Sequence, residues 1–160
     1  MKRKYMAALF LLAALGSSTV FAEAAETVPA DMETVLHRAE TMKTVPVATE
    51  HFTGNAWVEY GFLPGQGSRA YGGTVTFAPG ARTHWHIHSA RQVLIVTQGH
   101  GWVQEWGKPA IAIKEGDVVE CPPGVKHWHG AAKDSLMTHL AISERTETPV
   151  MWLEEAEFSE

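Results

Sequence analysis

Seven of the nine histidines lie between His84 and His139, and five of these gather in two tight groups, His84-Trp85-His86-Ile87-His88 and His127-Trp128-His129. In an extended strand, residues i and i+2 share a face about 6.8 Å apart, so His86 and His88 can converge on one ion while Trp85 and Ile87 pack on the opposite side. The same holds for His127 and His129 around Trp128. Imidazole suits Zn, Fe, Ni, Cu or Mn, and three such ligands with one oxygen donor leave a six-coordinate divalent ion two open positions. Open positions permit chemistry or the capture of a ligand.

These groups need strands to carry them, and the sequence supplies strands. From Ala56 onward, short stretches rich in Val, Ile, Thr, Trp and Phe alternate with turn signals: Pro64-Gly65, Pro79-Gly80, Gly99-His100-Gly101, Gly107-Lys108-Pro109, Glu115-Gly116-Asp117 and Pro122-Pro123-Gly124. No long segment between the turns carries a helical period, so the fold class is all-β, an antiparallel sandwich or barrel. Barrel strands alternate inward and outward, which can bring both histidine groups to a shared interior. Residues 23–50 are polar, rich in Thr and Glu, and are expected to form an N-terminal arm outside a single domain spanning 51–160. The acidic tail from Val150 is expected to form a short helix closing one end.

Lys2, Arg3 and Lys4 precede an apolar run from Met6 to Leu15 and a small-residue exit at Val20-Phe21-Ala22, the order of a secretory signal peptide over residues 1–22. The run is too short to span a bilayer, so no membrane association is expected after cleavage, and the location is periplasmic or secreted. Cleavage leaves 138 residues, enough for one domain, and shifts the formal charge from −5 to −8. Such a balance excludes nucleic-acid binding, which relies on clustered Lys and Arg. Cys121 is the only cysteine and follows Val118-Val119, so it is expected to be an inert core thiol.

The same residues carry a resemblance to the cupin superfamily. Its first motif, G-x5-H-x-H-x3,4-E-x6-G, is matched by Gly80, His86, His88, Gln92 and Gly99, with Gln in place of Glu. The second, G-x5-P-x-G-x2-H-x3-N, is matched by Gly116, Pro122, Gly124 and His127, with Ala131 where Asn is usual. The resemblance implies a double-stranded β-helix, or jelly roll, with His86, His88, Gln92 and His127 holding one divalent metal ion. An alternative leaves Gln92 outside the ligand set and the ion with three histidines. A neutral amide in place of a carboxylate leaves the site one unit more positive and more attractive to anions.

A narrower resemblance covers roughly Phe77 to Ile142, through Pro79-Gly80-Ala81-Arg82-Thr83, Gln92-x-Leu94-Ile95-Val96-Thr97, Lys126-His127-Trp128-His129-Gly130-Ala131 and Met137-Thr138-His139-Leu140-Ala141-Ile142. It is similar to small bacterial cupins that include manganese-dependent hydroxynitrile lyases and proteins labelled after carboxymuconolactone decarboxylase. This implies manganese as the ion, with Fe, Zn or Ni as alternatives, and a lyase that cleaves cyanohydrins, with a small-molecule substrate. In those lyases a histidine beyond the ligands handles the proton; the matching position is His139, and His129 also falls near the ion. An imidazole titrates near neutrality and a nearby cation keeps it available as a base. Two further readings stay open: a metal-dependent dioxygenase or isomerase, and a non-enzymatic periplasmic module that binds metal or a small ligand. A homodimer is expected, since an extended arm can cover a sheet edge of a neighbouring copy. Trp102, Gln104 and Trp106 alternate along one strand face as core or interface packing, with an aromatic pocket lining as the alternative; His37 and His51 belong to the arm and are assigned no role.

Overall fold

The computed structural model describes residues 34–62, 68–148 and 150–158. The signal peptide expected at 1–22 lies outside them, and the compact unit Met1–Thr34 falls almost wholly outside them, so the fold is that of the unit Val35–Glu160. Among the described residues no helix is long and apolar enough to cross a membrane.

The described residues form twelve strands, all paired antiparallel, in one curled sheet. Its first wall runs β1 (Thr44–Pro46), β3 (Ala56–Phe62), β4 (Ala70–Phe77), β11 (Met137–Glu144), then β7 (Gln92–Glu105). Its second wall continues from β7 through β10 (His127–Ala131) to β5 (Arg82–Thr83) and β2 (Phe52–Thr53). Off this path, β6 (His86–His88) pairs β10 and β12 (Val150–Trp152), while β8 (Ile111–Lys114) and β9 (Val118–Cys121) pair β7. The all-β jelly roll read from the sequence is the fold observed.

β7 joins the two walls. Its first half pairs β11 and β9, its second half β10 and β8, and the change of partner falls at Gly99, whose φ of 73° lies in the left-handed region that glycine adopts without steric cost. Leu94, Val96 and Val103 on this strand are buried, and they alternate with side chains turned outward, as a half-buried strand requires. The core between the walls gathers Phe77, Val96, Val103, Ile113 and Met137, with Val47, Phe52 and Val75 packed against it. A second cluster, Trp85, Trp128 and Ala156 with Trp102 and Phe158, lies on the opposite face of the histidine-bearing strands.

Two segments differ from their sequence reading. The stretch read as an arm is, from Thr44, an edge strand of its own chain's sheet: Thr44, Val45 and Pro46 stand opposite Glu59, Val58 and Trp57. Three residues of strand are too short for alternation to be visible against the polar surroundings. The tail forms strand rather than helix over Val150–Trp152, with Trp152 opposite His86 and Val150 opposite His88, and Ala156 and Phe158 then pack on the tryptophan cluster. Val150 and Trp152 are partly buried and Met151 between them is exposed, the strand period, which outweighs the helix preference of the glutamates beyond them.

Candidate metal centre and its cavity

The first histidine group sits on β6 and the second on β10, and the register places His127 directly opposite His86. Alternation then turns His86, His88, His127 and His129 to the interior and Trp85 and Trp128 to the outer cluster. His86 and His127 bring their ring centroids to 4.3 Å, and His86 and His88 to 5.1 Å. Nitrogens of His86, His127 and His129 lie within 4.8 Å of one another, a spacing one ion can bridge. Gln92, at the start of β7, aims its Oε1 to 3.1 Å from Nε2 of His127.

The donor chemistry of this cluster fits a cation. His86 Nδ1 donates to the His84 carbonyl at 3.0 Å and His127 Nδ1 donates to the Val125 carbonyl at 2.9 Å. Those bonds fix the tautomers, leaving each Nε2 as a lone pair. The His127 lone pair therefore faces the Gln92 amide oxygen, two acceptors with no proton between them, an arrangement that a positive ion relieves. Burial, then the neighbouring His127, holds the pKa of His86 well below its ordinary value. Burial also lowers the pKa of His127, partly offset by its bond to Val125 and by Glu105. Both rings are thus neutral and available as ligands at pH 7. Of the four ligand positions implied by the resemblance, His86, Gln92 and His127 converge, while His88 is buried with its ring 5.8 Å from that of His127 and lies outside the three-histidine group, where His129 stands instead. His129 stands close enough to share the ion or to face it.

Behind the cluster, on β11, lies His139, completely buried. Its Nε2 and Nδ1 of His129 are 3.1 Å apart, and Phe77 packs against both rings at 5.6 and 5.7 Å. Burial lowers the His139 pKa to about 4 and drives that of His129 well down, aided by repulsion from His139 and His86. The pair is uncharged and shares one proton in two tautomeric arrangements. Nε2 of His129 and Nδ1 of His139 are buried and find no hydrogen-bond partner among the described residues. The pair can accept a proton at one end and release it at the other.

A cavity of about 360 Å³ opens between the free edges of the two walls, lined by residues that include Val47, His51, Phe52, Val58, Val75 and Trp152. None of the histidines of the centre lines it, but two lining residues adjoin them: Val75 stands opposite His139 in the sheet, and the Trp152 ring lies 4.9 Å from that of His86. His51 and Trp152 were not legible as site residues; an isolated histidine in a polar stretch and a tryptophan in an acidic tail carry no spacing signal. A larger hollow of about 660 Å³, lined by Trp85, Gln104, Trp106 and Glu154 among others, opens on the outer face and contains none of the histidines. Trp106 is therefore not a lining of the metal site. Lys126 lies 3.5 Å above its ring and pairs with Glu154. Trp102 packs on Phe158, and Gln104 accepts the Trp128 indole N–H, so that alternating set serves packing.

Residues 73–143 match the cupin domain family, a span that contains every histidine of the centre. An (R)-mandelonitrile lyase from Granulicella tundricola is 49% identical over 104 residues, covering 64% of this chain and 79% of that protein. The chain belongs to the cupin superfamily. A cupin-like protein from Thermotoga maritima, solved as a crystal structure, is 42% identical with a TM-score of 0.65, covering 77% of this chain and 90% of that one. The polyketide cyclase RemF from Streptomyces resistomycificus shares the fold at 16% identity and a TM-score of 0.63, over 81% of this cupin and 89% of its own chain. Cupin membership accounts for the paired histidine strands, and the buried His129–His139 pair stands beside the candidate metal site.

Proposed function

We propose that this cupin is an exported, metal-dependent lyase that cleaves a small cyanohydrin into an aldehyde and hydrogen cyanide and also runs the reverse addition. The observation that carries this reading is the buried His129–His139 pair, in which His129 is also one of the three histidines of the cluster with His86 and His127; the mandelonitrile lyase relative supports it. His86, His88, Gln92 and His127 would hold the ion, with manganese proposed from the narrower resemblance. When bound, the ion supplies a Lewis acid for whichever oxygen or cyanide develops negative charge.

This chain's own residues handle the proton. Kept uncharged by burial, the pair accepts the proton of the substrate hydroxyl. As the C–O bond becomes a carbonyl, the electrons of the carbon–cyanide bond leave with cyanide, which takes the proton back from the pair as hydrogen cyanide. One cyanohydrin thus gives one aldehyde and one hydrogen cyanide, with no net change in the protein. The cavity's apolar walls, with Phe52, Val58 and Val75, shield the step from water.

Residues 1–22 as an export signal and a homodimer assembled over exposed sheet edges belong to the same proposal. The test is release of benzaldehyde from mandelonitrile by manganese-loaded protein. His139→Ala should lower kcat/KM by about 10²–10⁴-fold, the usual contribution of a positioned acid–base group. Release no faster than that of the metal-free protein would refute the lyase assignment.

A further inference from the structure

We propose that His51 is a specificity-determining residue: it pins Trp152 across the mouth of the cavity and so limits the site to small, flat, uncharged ligands. This rests on the lyase reading only in placing the reacting atoms beside His139; the claim about His51 concerns what the cavity admits.

The backbone around His51 is anchored on both sides. Its N–H donates to the Ala48 carbonyl at 3.1 Å, and its carbonyl accepts the His84 N–H at 2.8 Å, tying the loop before β2 to the segment that leads into β6. The imidazole is then laid parallel to the Trp152 indole, 4.6 Å between centroids and 5° between planes. Trp152 ends the three-residue strand β12, beyond which no regular structure fixes its indole. Its orientation comes from the rings around it: His51 on one face, with Phe52 at 5.6 Å and His86 at 4.9 Å. Across the opening stand Val58 and Val75, neighbours in register on β3 and β4, with His139 next along the sheet.

A molecule reaching His139 from this side passes between the pinned indole and two valines. None of the lining residues carries a formal charge apart from the titratable His51, which disfavours phosphates, carboxylates and ammonium groups that would lose hydration without a partner. The volume, about 360 Å³, lies at the lower end for ligand pockets and suits one ring with a small substituent. Removing the imidazole leaves the indole free to swing and widens the slot.

The experiment is calorimetric titration of the metal-loaded protein with benzaldehyde and with 2-naphthaldehyde, together with melting temperature and metal content for each variant. His51→Ala should weaken benzaldehyde binding about three- to tenfold, as expected for loss of one aromatic stack, and strengthen 2-naphthaldehyde relative to it. His51→Phe should restore the original ratio at unchanged metal content, a rescue that a merely structural role for the polar ring would not give. If His51→Ala does not fold, His51→Leu makes the same comparison with bulk retained and the flat ring removed. An unchanged ratio in the variant, no binding of either aldehyde to the wild type, or loss of binding in Trp106→Ala, which would move the ligand to the outer hollow, each overturns the proposal. A ratio that shifts as expected in a protein that cleaves no cyanohydrin defeats the lyase reading alone. Cleavage with a KM and binding ratio indifferent to His51 defeats this proposal alone.

Discussion

Neutral histidine is the property on which the centre depends, and it makes the metal-free protein sensitive to acid. His139 has a folded pKa of about 4 against an ordinary value near 6.5, so between those values the unfolded chain binds a proton that the folded chain refuses. The corresponding stability is fully present above pH 6.5 and is lost as pH falls toward 4, about 3 kcal/mol from His139 alone. His86, His127 and His129 shift in the same direction. Urea unfolding of the metal-free protein should therefore show a midpoint that drops between pH 7.5 and 5, with a shallower drop in His139→Gln; a midpoint flat across that range would contradict neutral burial of the pair. The lone thiol behaves oppositely. Cys121, buried opposite Gln92, has its pKa pushed up to about 12 by burial and then by Glu105, which agrees with the inert core thiol expected from its apolar flank.

At the scale of elements, β10 holds the arrangement together, because all five of its residues are buried and it pairs β7, β5 and β6. Gly130 permits this. A Cβ there would collide with the Ala81 carbonyl and with Arg82 of β5, both too close to yield without moving backbone. β5 in turn carries Thr83, whose hydroxyl accepts the His129 backbone N–H at 3.2 Å. Gly130→Ala should cost about 1–3 kcal/mol of stability, typical of an overpacked interior, and weaken metal binding through the displaced His129. Denaturant titration with a parallel metal titration measures both, and a variant as stable as wild type would show that β5 does not approach as closely as described. The sequence made the elements that carry the histidines legible, because period-two spacing and glycine turns are local signals. What it hid depends on pairings between distant segments. Nothing local in Thr44–Pro46 says that it will lie along β3, and nothing in Val150–Trp152 says that it will set a tryptophan against His86. The His129–His139 contact joins β10 to β11 across the interior, and the motif resemblance, which set both residues near the ion, did not point to their contact.

The whole unit from Val35 is closed around a site of converging acceptors, so ion binding and folding are expected to be one equilibrium. β6, three residues long, is held by β10 at a single register pair and by β12 at three, and the Gly124 N–H donates to the His88 carbonyl at its end. Without the ion, His127 and Gln92 present acceptors to each other and the neutral rings crowd without compensation. With it, the two histidine strands gain a shared tie across the interior. A ligand that binds only the folded state stabilises it by about 2.7 kcal/mol at a hundredfold excess over Kd, and by about 1.4 kcal/mol more for each further tenfold. Thermal unfolding should therefore move upward steadily with added manganese and fall on chelation. His127→Ala should abolish that dependence, because His127 Nε2 joins the Gln92 and His86 sides of the cluster. His100→Ala, an exposed change at the hydrogen bond to Asp134, should leave the dependence intact. An equal manganese response in His127→Ala and wild type would place the ion elsewhere and separate the histidine cluster from the stability of the barrel.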